Sequence, residues 1–211
     1  MSEVCNTLTM DKESGFTLVE LLVTIIVATV LLATGVPAFK DFIKNNRVTA
    51  QTNDLISTIQ LARSEALKRG SNMVICASDD KTTCTGKDTW ADGWIVFSDF
   101  DPSDGSDPNI GTGTDAGKCL AKQDCIMATR EGLPGGGTLT SDFKNVCFLP
   151  TGLSGTHMSG ACSRQDTEVA EFILNAKNCE NDQARYQARK VTITNQGHTL
   201  ISTCTTCACK S

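Results

Sequence analysis

Few folds accommodate nineteen successive uncharged residues set directly behind a lone carboxylate. Leu21 to Phe39 carries no charge, and Glu20 stands immediately in front of it. Phe16 to Val36 would be about 32 Å long as an α-helix, enough to cross the hydrocarbon core of a bilayer. Thr24, Thr29 and Thr34 fall inside that span, where their hydroxyls can bond to the helix's own carbonyls. Glu20 cannot hide in this way. An intramembrane carboxylate is costly and marks a functional position by default. If it stays charged it needs a cation beside it. The plain alternative is an ordinary membrane anchor with one stray acid. Pro37, two residues after Gly35, predicts a kink or a local loosening near the end of the span.

Helical periodicity continues past the proline. Phe39, Phe42 and Ile43, then Leu55, Ile56, Ile59, Ala62, Ala66 and Leu67, recur at helical spacing, with Lys44, Arg47, Asn53, Arg63 and Lys68 on much of the remaining surface. Gly70 supplies a stop. The pattern predicts one helix of roughly 50 residues, half in lipid and half packed on a domain. Beyond Gly70 the period shortens. Met73–Ala77, Trp94–Ser98, Val146–Leu149, Val169–Leu174, Lys190–Thr194 and Thr199–Ser202 read as strands, with Asn195-Gln196-Gly197 as a hairpin turn. A compact antiparallel β domain clasping the helix follows. Asp99 to Gly117 is polar and reads as a surface loop.

The segment Gly15-Phe16-Thr17-Leu18-Val19-Glu20 with its apolar continuation resembles the N-terminus of type IV pilins and type II secretion pseudopilins. Asn45-Asn46-Arg47, Ala62-Arg63-Ser64-Glu65-Ala66, Lys68-Arg69-Gly70 and Trp90-Ala91-Asp92-Gly93-Trp94-Ile95-Val96-Phe97 narrow the resemblance to the H-type minor pilins and pseudopilins, the GspH/FimT group. The resemblance implies a pilin-like α+β fold: a long N-terminal helix packed on a small antiparallel β domain with disulfides. It implies a leader at residues 1–15, a membrane and filament-core helix at 16–39, an amphipathic continuation at 40–70 and an extracytoplasmic cysteine-rich domain at 71–211. A prepilin peptidase would cut after Gly15 and methylate Phe16. Glu20 would pair with the N-terminal amine of a neighbouring subunit, and Pro37 would let the helix stretch inside a filament. Losing Glu3, Asp11, Lys12 and Glu13 with the leader takes the net charge from −5 to near −3, so no global basic field marks a nucleic-acid binder.

A secretory signal peptide would place its apolar stretch before the cut and lose it, whereas here the apolar stretch follows the cut. Lys40, Lys44 and Arg47 lie beyond the span, so a positive-inside count alone would orient the helix backwards. Cysteine content argues the other way. Of 11 cysteines, Cys5 falls in the leader, leaving Cys76, Cys84, Cys119, Cys125, Cys147, Cys162, Cys179, Cys204, Cys207 and Cys209. An even set in a small loop-rich domain reads as a disulfide framework in an oxidising compartment. Cys76–Cys84 and Cys119–Cys125 are the expected local staples. Cys204-x-x-Cys207-x-Cys209 also has the look of part of a zinc site, although one zinc needs four ligands.

Two surface clusters each have two readings. Asp99, Asp101, Asp104 and Asp107, around Gly105, would suit a calcium ion, or form a solvated aspartate-rich turn without EF-hand spacing. Arg185, Arg189 and Lys190, with His198 and Lys210 nearby, could meet DNA phosphates as some H-type minor pilins do, or form a solvated strand. The turn Asn195–Thr199 lacks the arginines expected of such a DNA contact. His157 and His198 are the only histidines, and no nucleophile motif stands near them, so an enzyme is not expected.

The expected function is that of a minor subunit of a type II secretion pseudopilus, serving protein secretion, or of a type IV pilus, serving assembly, adhesion or DNA uptake. Its partners would be other pilin or pseudopilin subunits, the prepilin peptidase and an inner-membrane assembly platform. No cofactor is required, and calcium at the aspartate cluster is the one ion the sequence admits. The chain would cross the bacterial inner membrane once with its β domain in the periplasm, or lie outside the cell within a pilus. A membrane-tethered receptor that never polymerises is the alternative of a different class.

Overall fold

The computed structural model describes residues 15–99, 124–158, 161–164, 170–176, 179, 188–204 and 209. The chain divides between Lys40 and Asp41 into two units. Helix α1 runs Leu18–Arg69. It is helical through Pro37, so the missing N–H removes one bond from the ladder without ending the helix. It stops where expected. Gly70 adopts φ +66°, and its N–H donates to the Ala66 carbonyl at 2.9 Å. Lys68 and Arg69 occupy the last turn, and Arg69 Nε donates to Glu65 at 2.5 Å. That bond holds the Glu65 carboxyl below its usual range.

In the second unit, two antiparallel sheets carry the core. Strands β1 (Asn72–Ala77), β2 (Gly93–Asp99), β3 (Cys125–Glu131), β5 (Asn145–Phe148), β6 (Ser154–Met158) and β7 (Ala161–Arg164) form a sheet of order β3-β2-β1-β5-β6-β7. Strands β4 (Thr138–Ser141), β8 (Ala170–Asn175), β9 (Ala188–Ile193) and β10 (Thr199–Cys204) form the other, of order β10-β9-β8-β4. The second half of α1 buries Val48, Thr52, Leu55, Ile59, Ala62 and Ala66, spaced alternately four and three residues apart. They share one core with Met73, Ile75, Trp94, Val96 and Phe148 of the larger sheet and Leu139, Phe172, Leu174, Val191 and Ile193 of the smaller. Thr52 enters this core because its hydroxyl donates to the Val48 carbonyl at 2.7 Å.

The expected apolar stripe of the helix needs correction at its ends. Phe39, Phe42, Ile43 and Leu67 are exposed, and Ile56 is only partly buried. The stripe that packs begins at Val48, a residue the periodicity did not single out.

The larger sheet is apolar on both faces, which accounts for the unbroken runs in β1 and β2. Val74, Cys76, Ile95, Phe97 and Cys147 form a second core on its far side, with Cys84, Cys162 and Ile126 packed against them. Two disulfides, Cys76–Cys84 and Cys147–Cys162, lie in this cluster. Strands β3, β4, β6 and β7 were not expected from the sequence. Strand β4 is four residues long and directly follows the glycine run, while β6 and β7 read Ser-Gly-Thr-His-Met and Ala-Cys-Ser-Arg. Such small and polar strands carry no apolar signal. The Cys147–Cys162 bond ties β7 to β5.

The Trp90–Trp94 segment locks the sheets together. Trp90 meets the Phe172 ring edge-on at 5.0 Å, and Trp94 Nε1 donates to Thr58 Oγ1 of α1 at 3.3 Å. Gly93 between them has φ +129°, and a Cβ there would lie 2.5 Å from the Arg130 carbonyl oxygen. Only glycine fits.

Within the Cys76–Cys84 loop, Asp80 accepts from the N–H groups of Thr83 at 2.7 Å and Thr82 at 2.8 Å, and from the Thr83 hydroxyl at 2.7 Å. These bonds, the Thr83 N–H foremost, hold its carboxyl well below the ordinary range. The folded carboxyl is thus the stronger acid. Its stabilising effect is present where the unfolded carboxyl is already ionised, above about pH 4, and is lost as pH falls below that toward the folded value.

Two expectations follow for the mature chain in detergent. Leu55→Ala should cost about 2–5 kcal/mol in denaturant unfolding, whereas exposed Leu67→Ala should stay within about 1 kcal/mol. Equal losses would contradict the placement of the stripe. Asp80→Asn should lower Tm at pH 7, and the gap from wild type should narrow on acidification below about pH 4; a gap that widens would contradict the direction assigned to Asp80.

Candidate functional site

The N-terminal segment is built from local chemistry. Thr17 precedes the first helical residue, and its hydroxyl accepts from the Glu20 N–H at 3.2 Å. Its carbonyl accepts from the Leu21 N–H at 3.2 Å. Thr17 is therefore the N-cap of α1, and Glu20 stands at the third helical position of a Thr-x-x-Glu pattern. The signal is legible in the sequence as the Thr17-x-x-Glu20 spacing. Glu20 lies in the first turn, where the aligned peptide dipoles favour negative charge.

The span behind it behaves as the sequence predicts. Thr24 donates to the Leu21 carbonyl at 2.8 Å and Thr29 to the Ile26 carbonyl at 2.7 Å. Thr34 bonds to Val30 and Leu31 at 3.4 and 3.3 Å. Each hydroxyl is satisfied within the helix, so none opposes insertion into lipid. Among the described residues, α1 is the one helix long and apolar enough to cross a membrane, with mean hydropathy 2.4 over its best window. None of that window is buried by the protein itself. Phe16 is 79 % exposed beside Gly15, an open, uncovered peptide.

The other sequence candidates fare differently. Asp99 is buried at the end of β2, while Asp101, Asp104 and Asp107 lie outside the described residues, as does the rest of the expected surface loop. Arg185 also lies outside them. Lys190 is ion-paired with Glu171 on the neighbouring strand, and Arg189 donates to the Thr203 hydroxyl. The hairpin turn forms as expected. Thr194 N–H donates to the His198 carbonyl at 2.9 Å, and Gly197 takes φ +76° between them.

Cysteine chemistry overturns one reading. The expected Cys76–Cys84 staple forms, and Cys204–Cys209 is also a disulfide. Two sulfurs of the C-x-x-C-x-C run are thereby oxidised and offer no thiolate to zinc. Cys207 lies outside the described residues. Cys125 and Cys179 are disulfide-bonded as well, and Cys119, the expected partner of Cys125, lies outside the described residues.

The model for type II transport protein GspH matches residues 51–197. The chain belongs to the GspH family. A model of the prokaryotic N-terminal methylation motif matches residues 10–36, covering Gly15, Phe16 and Glu20. A fimbrial protein of Pseudomonas aeruginosa is 29 % identical over 97 residues, 46 % of this chain and 56 % of that protein. The match thus spans about half the length of that curated relative. Among solved structures, the type IV minor pilin FimU of Pseudomonas aeruginosa is similar at 16 % identity and a TM-score of 0.48, covering 79 % of this chain and 98 % of the other. The minor pseudopilin EpsH from the type 2 secretion system of Vibrio cholerae is similar at 11 % identity and a TM-score of 0.42, covering 74 % and 96 %.

The GspH match begins within the packed half of α1 and ends in the turn before β10, so it takes in most of the packed helix and strands β1 to β9. The methylation-motif match ends inside the apolar span of α1. For the oxidised pair, alkylation of unreduced, denatured protein should leave Cys204 and Cys209 unmodified, and prior reduction should expose both. Modification before reduction would restore the zinc reading.

Proposed function

We propose that this GspH-family chain is a minor subunit of a type IV filament, either a surface pilus or a type II secretion pseudopilus. A prepilin peptidase would cleave after Gly15 and methylate Phe16. The chain would then wait in the inner membrane with its β domain in the periplasm until an assembly platform draws it into the filament. Its work is mechanical and recognitional rather than catalytic.

The observation that carries this reading is a bare apolar helix whose first turn holds Glu20 directly behind the Gly15–Phe16 peptide. Lipid tails are as apolar as the helix, so like-for-like packing gives little drive toward one partner. A carboxylate in that setting supplies the missing selectivity. Left alone in hydrocarbon it is unfavourable, and breaking a buried ion pair by removing one partner costs about 3–5 kcal/mol. The new amine at Phe16 of a neighbouring subunit offers the matching cation. Thr17 caps the helix end without consuming the Glu20 side chain in its 3.2 Å bond, which uses the Glu20 backbone N–H. The carboxylate is left for its partner.

Glu20→Ala should leave membrane insertion and the folded β domain intact, and should reduce recovery of the subunit in sheared filament fractions. Equal recovery of mutant and wild type would contradict the pairing role.

A further inference from the structure

Cations that line a cavity without a carboxylate beside them draw an anion into it. Three cavities of the β domain each hold an arginine, and in two of them the charge is already answered. In one, of about 360 Å³, Arg63 donates from Nε to the Gly152 carbonyl at 3.1 Å and from Nη2 to the Gln196 carbonyl at 3.0 Å. In another, of about 330 Å³, Arg130 shares the walls with Asp54 and Glu131, and its Nε lies 4.0 Å from Asp54.

The third differs. It is a space of about 100 Å³ between α1 and the approach to β4, with Lys44, Arg47 and Gln51 on one side and Gly135, Gly137 and Ala176 on the other. Two cations and no carboxylate line it. Gln51 holds the loop against the helix, its Nε2 donating to the Pro134 carbonyl at 3.2 Å. Arg47 lies over Gly135, where a Cβ would overlap the guanidinium. Gly135 takes φ +90°, so the missing side chain both permits the turn and leaves the guanidinium its seat. Among the described residues no acceptor takes the Arg47 donors, and packing alone sets the group's position.

Position along the chain narrows the choice of anion. Lys44 and Arg47 stand five and eight residues beyond Phe39, the end of the uncharged run, or about 8 and 12 Å along a helix. Cα–Cβ bonds tilt toward a helix's N-terminus, here the apolar half, so both side chains lean back toward the bilayer. Their long stems bring the charges into the headgroup layer, about 5–8 Å deep on each side. Ile43 is 42 % exposed and stands four residues before Arg47, a spacing that puts the two on one face of α1. Exposed Phe42 is next to it. A phosphate with an acyl chain attached meets both the cations and the bare isoleucine, whereas a free phosphate meets only the cations.

We propose that Lys44 and Arg47, with the glycine run Gly135–Gly137 as a floor, bind the phosphate of an anionic phospholipid at the bilayer surface. The guanidinium and the ammonium give it charge-assisted hydrogen bonds, and Ile43 takes the start of an acyl chain. A lipid held there steadies the β domain at the surface until the subunit is withdrawn. The proposal rests on the reading that the apolar half of α1 lies in the membrane.

The test uses the full mature chain in micelles of an uncharged detergent, following the backbone amide resonances of Gly135 and Gly137. Phosphatidylglycerol should shift both and saturate. Phosphatidylcholine brings a choline cation toward Lys44 and Arg47, and inorganic phosphate has no chain for Ile43, so each should bind about tenfold more weakly or worse. Arg47→Gln and Lys44→Gln should each weaken phosphatidylglycerol binding about fivefold, the worth of one basic residue at an anionic surface. Lys87→Gln, at another exposed cation, should change nothing. Amides that stay still, or equal affinity in wild type and Arg47→Gln, would overturn the proposal. Inorganic phosphate binding as well as phosphatidylglycerol would overturn the lipid as its source. Failure of the membrane reading shows separately, as release of the chain from cell membranes by alkaline carbonate, and leaves the titration unaffected.

Discussion

A carboxylate at the head of an apolar helix cannot be left without a partner once water is gone, and the architecture of this chain answers to that constraint. In the first turn of α1 the unsatisfied N–H groups already favour negative charge. Thr17 takes one of them through its hydroxyl. The threonines further along bond back onto their own helix, so Glu20 is the single strong polar demand in the span. On the proposed reading such a helix recognises neighbours by meeting that demand, because dispersion contacts with lipid and with other apolar helices are of similar strength.

Past the apolar half the helix becomes the spine of a β domain, and the balance of forces changes. There the stripe from Val48 to Ala66 is held by ordinary hydrophobic burial against both sheets. The larger sheet is covered on its far side by a cluster that includes two disulfides. Among the described residues one long helix packs between the two sheets, which leaves little apolar material for that second face. Cross-links supply there what side-chain bulk supplies at the helix, chiefly by limiting the unfolded chain.

The helix was legible because its period and its stop are local properties: Gly70 ends it by φ alone. Strands β1, β2, β5, β8, β9 and β10 were legible through apolar or alternating runs, and in β1 and β2 the unbroken runs reflect burial on both faces. Strands β6 and β7 were not, because a disulfide and backbone pairing place them rather than apolar side chains. Of the candidate site, the residues from Gly15 to Glu20 stood out because they share one short segment. The Cys204–Cys209 bond did not, since spacing alone leaves zinc and disulfide open. The cavity at Arg47 was hidden as well: Lys44 and Arg47 read as part of a solvated helix face until the glycine run is seen packed against them.

On the proposed reading, the apolar half of α1 finds its partners among other pilin-like helices. The most direct measurement is photocrosslinking from position 24, inside the apolar span, in intact cells, with mass spectrometry of the captured neighbour. Capture of a pilin or pseudopilin helix is expected: a major pilin would mean a surface pilus, and a secretion pseudopilin would mean a secretion machine. Capture of lipid alone, in cells that are assembling filaments, would contradict it.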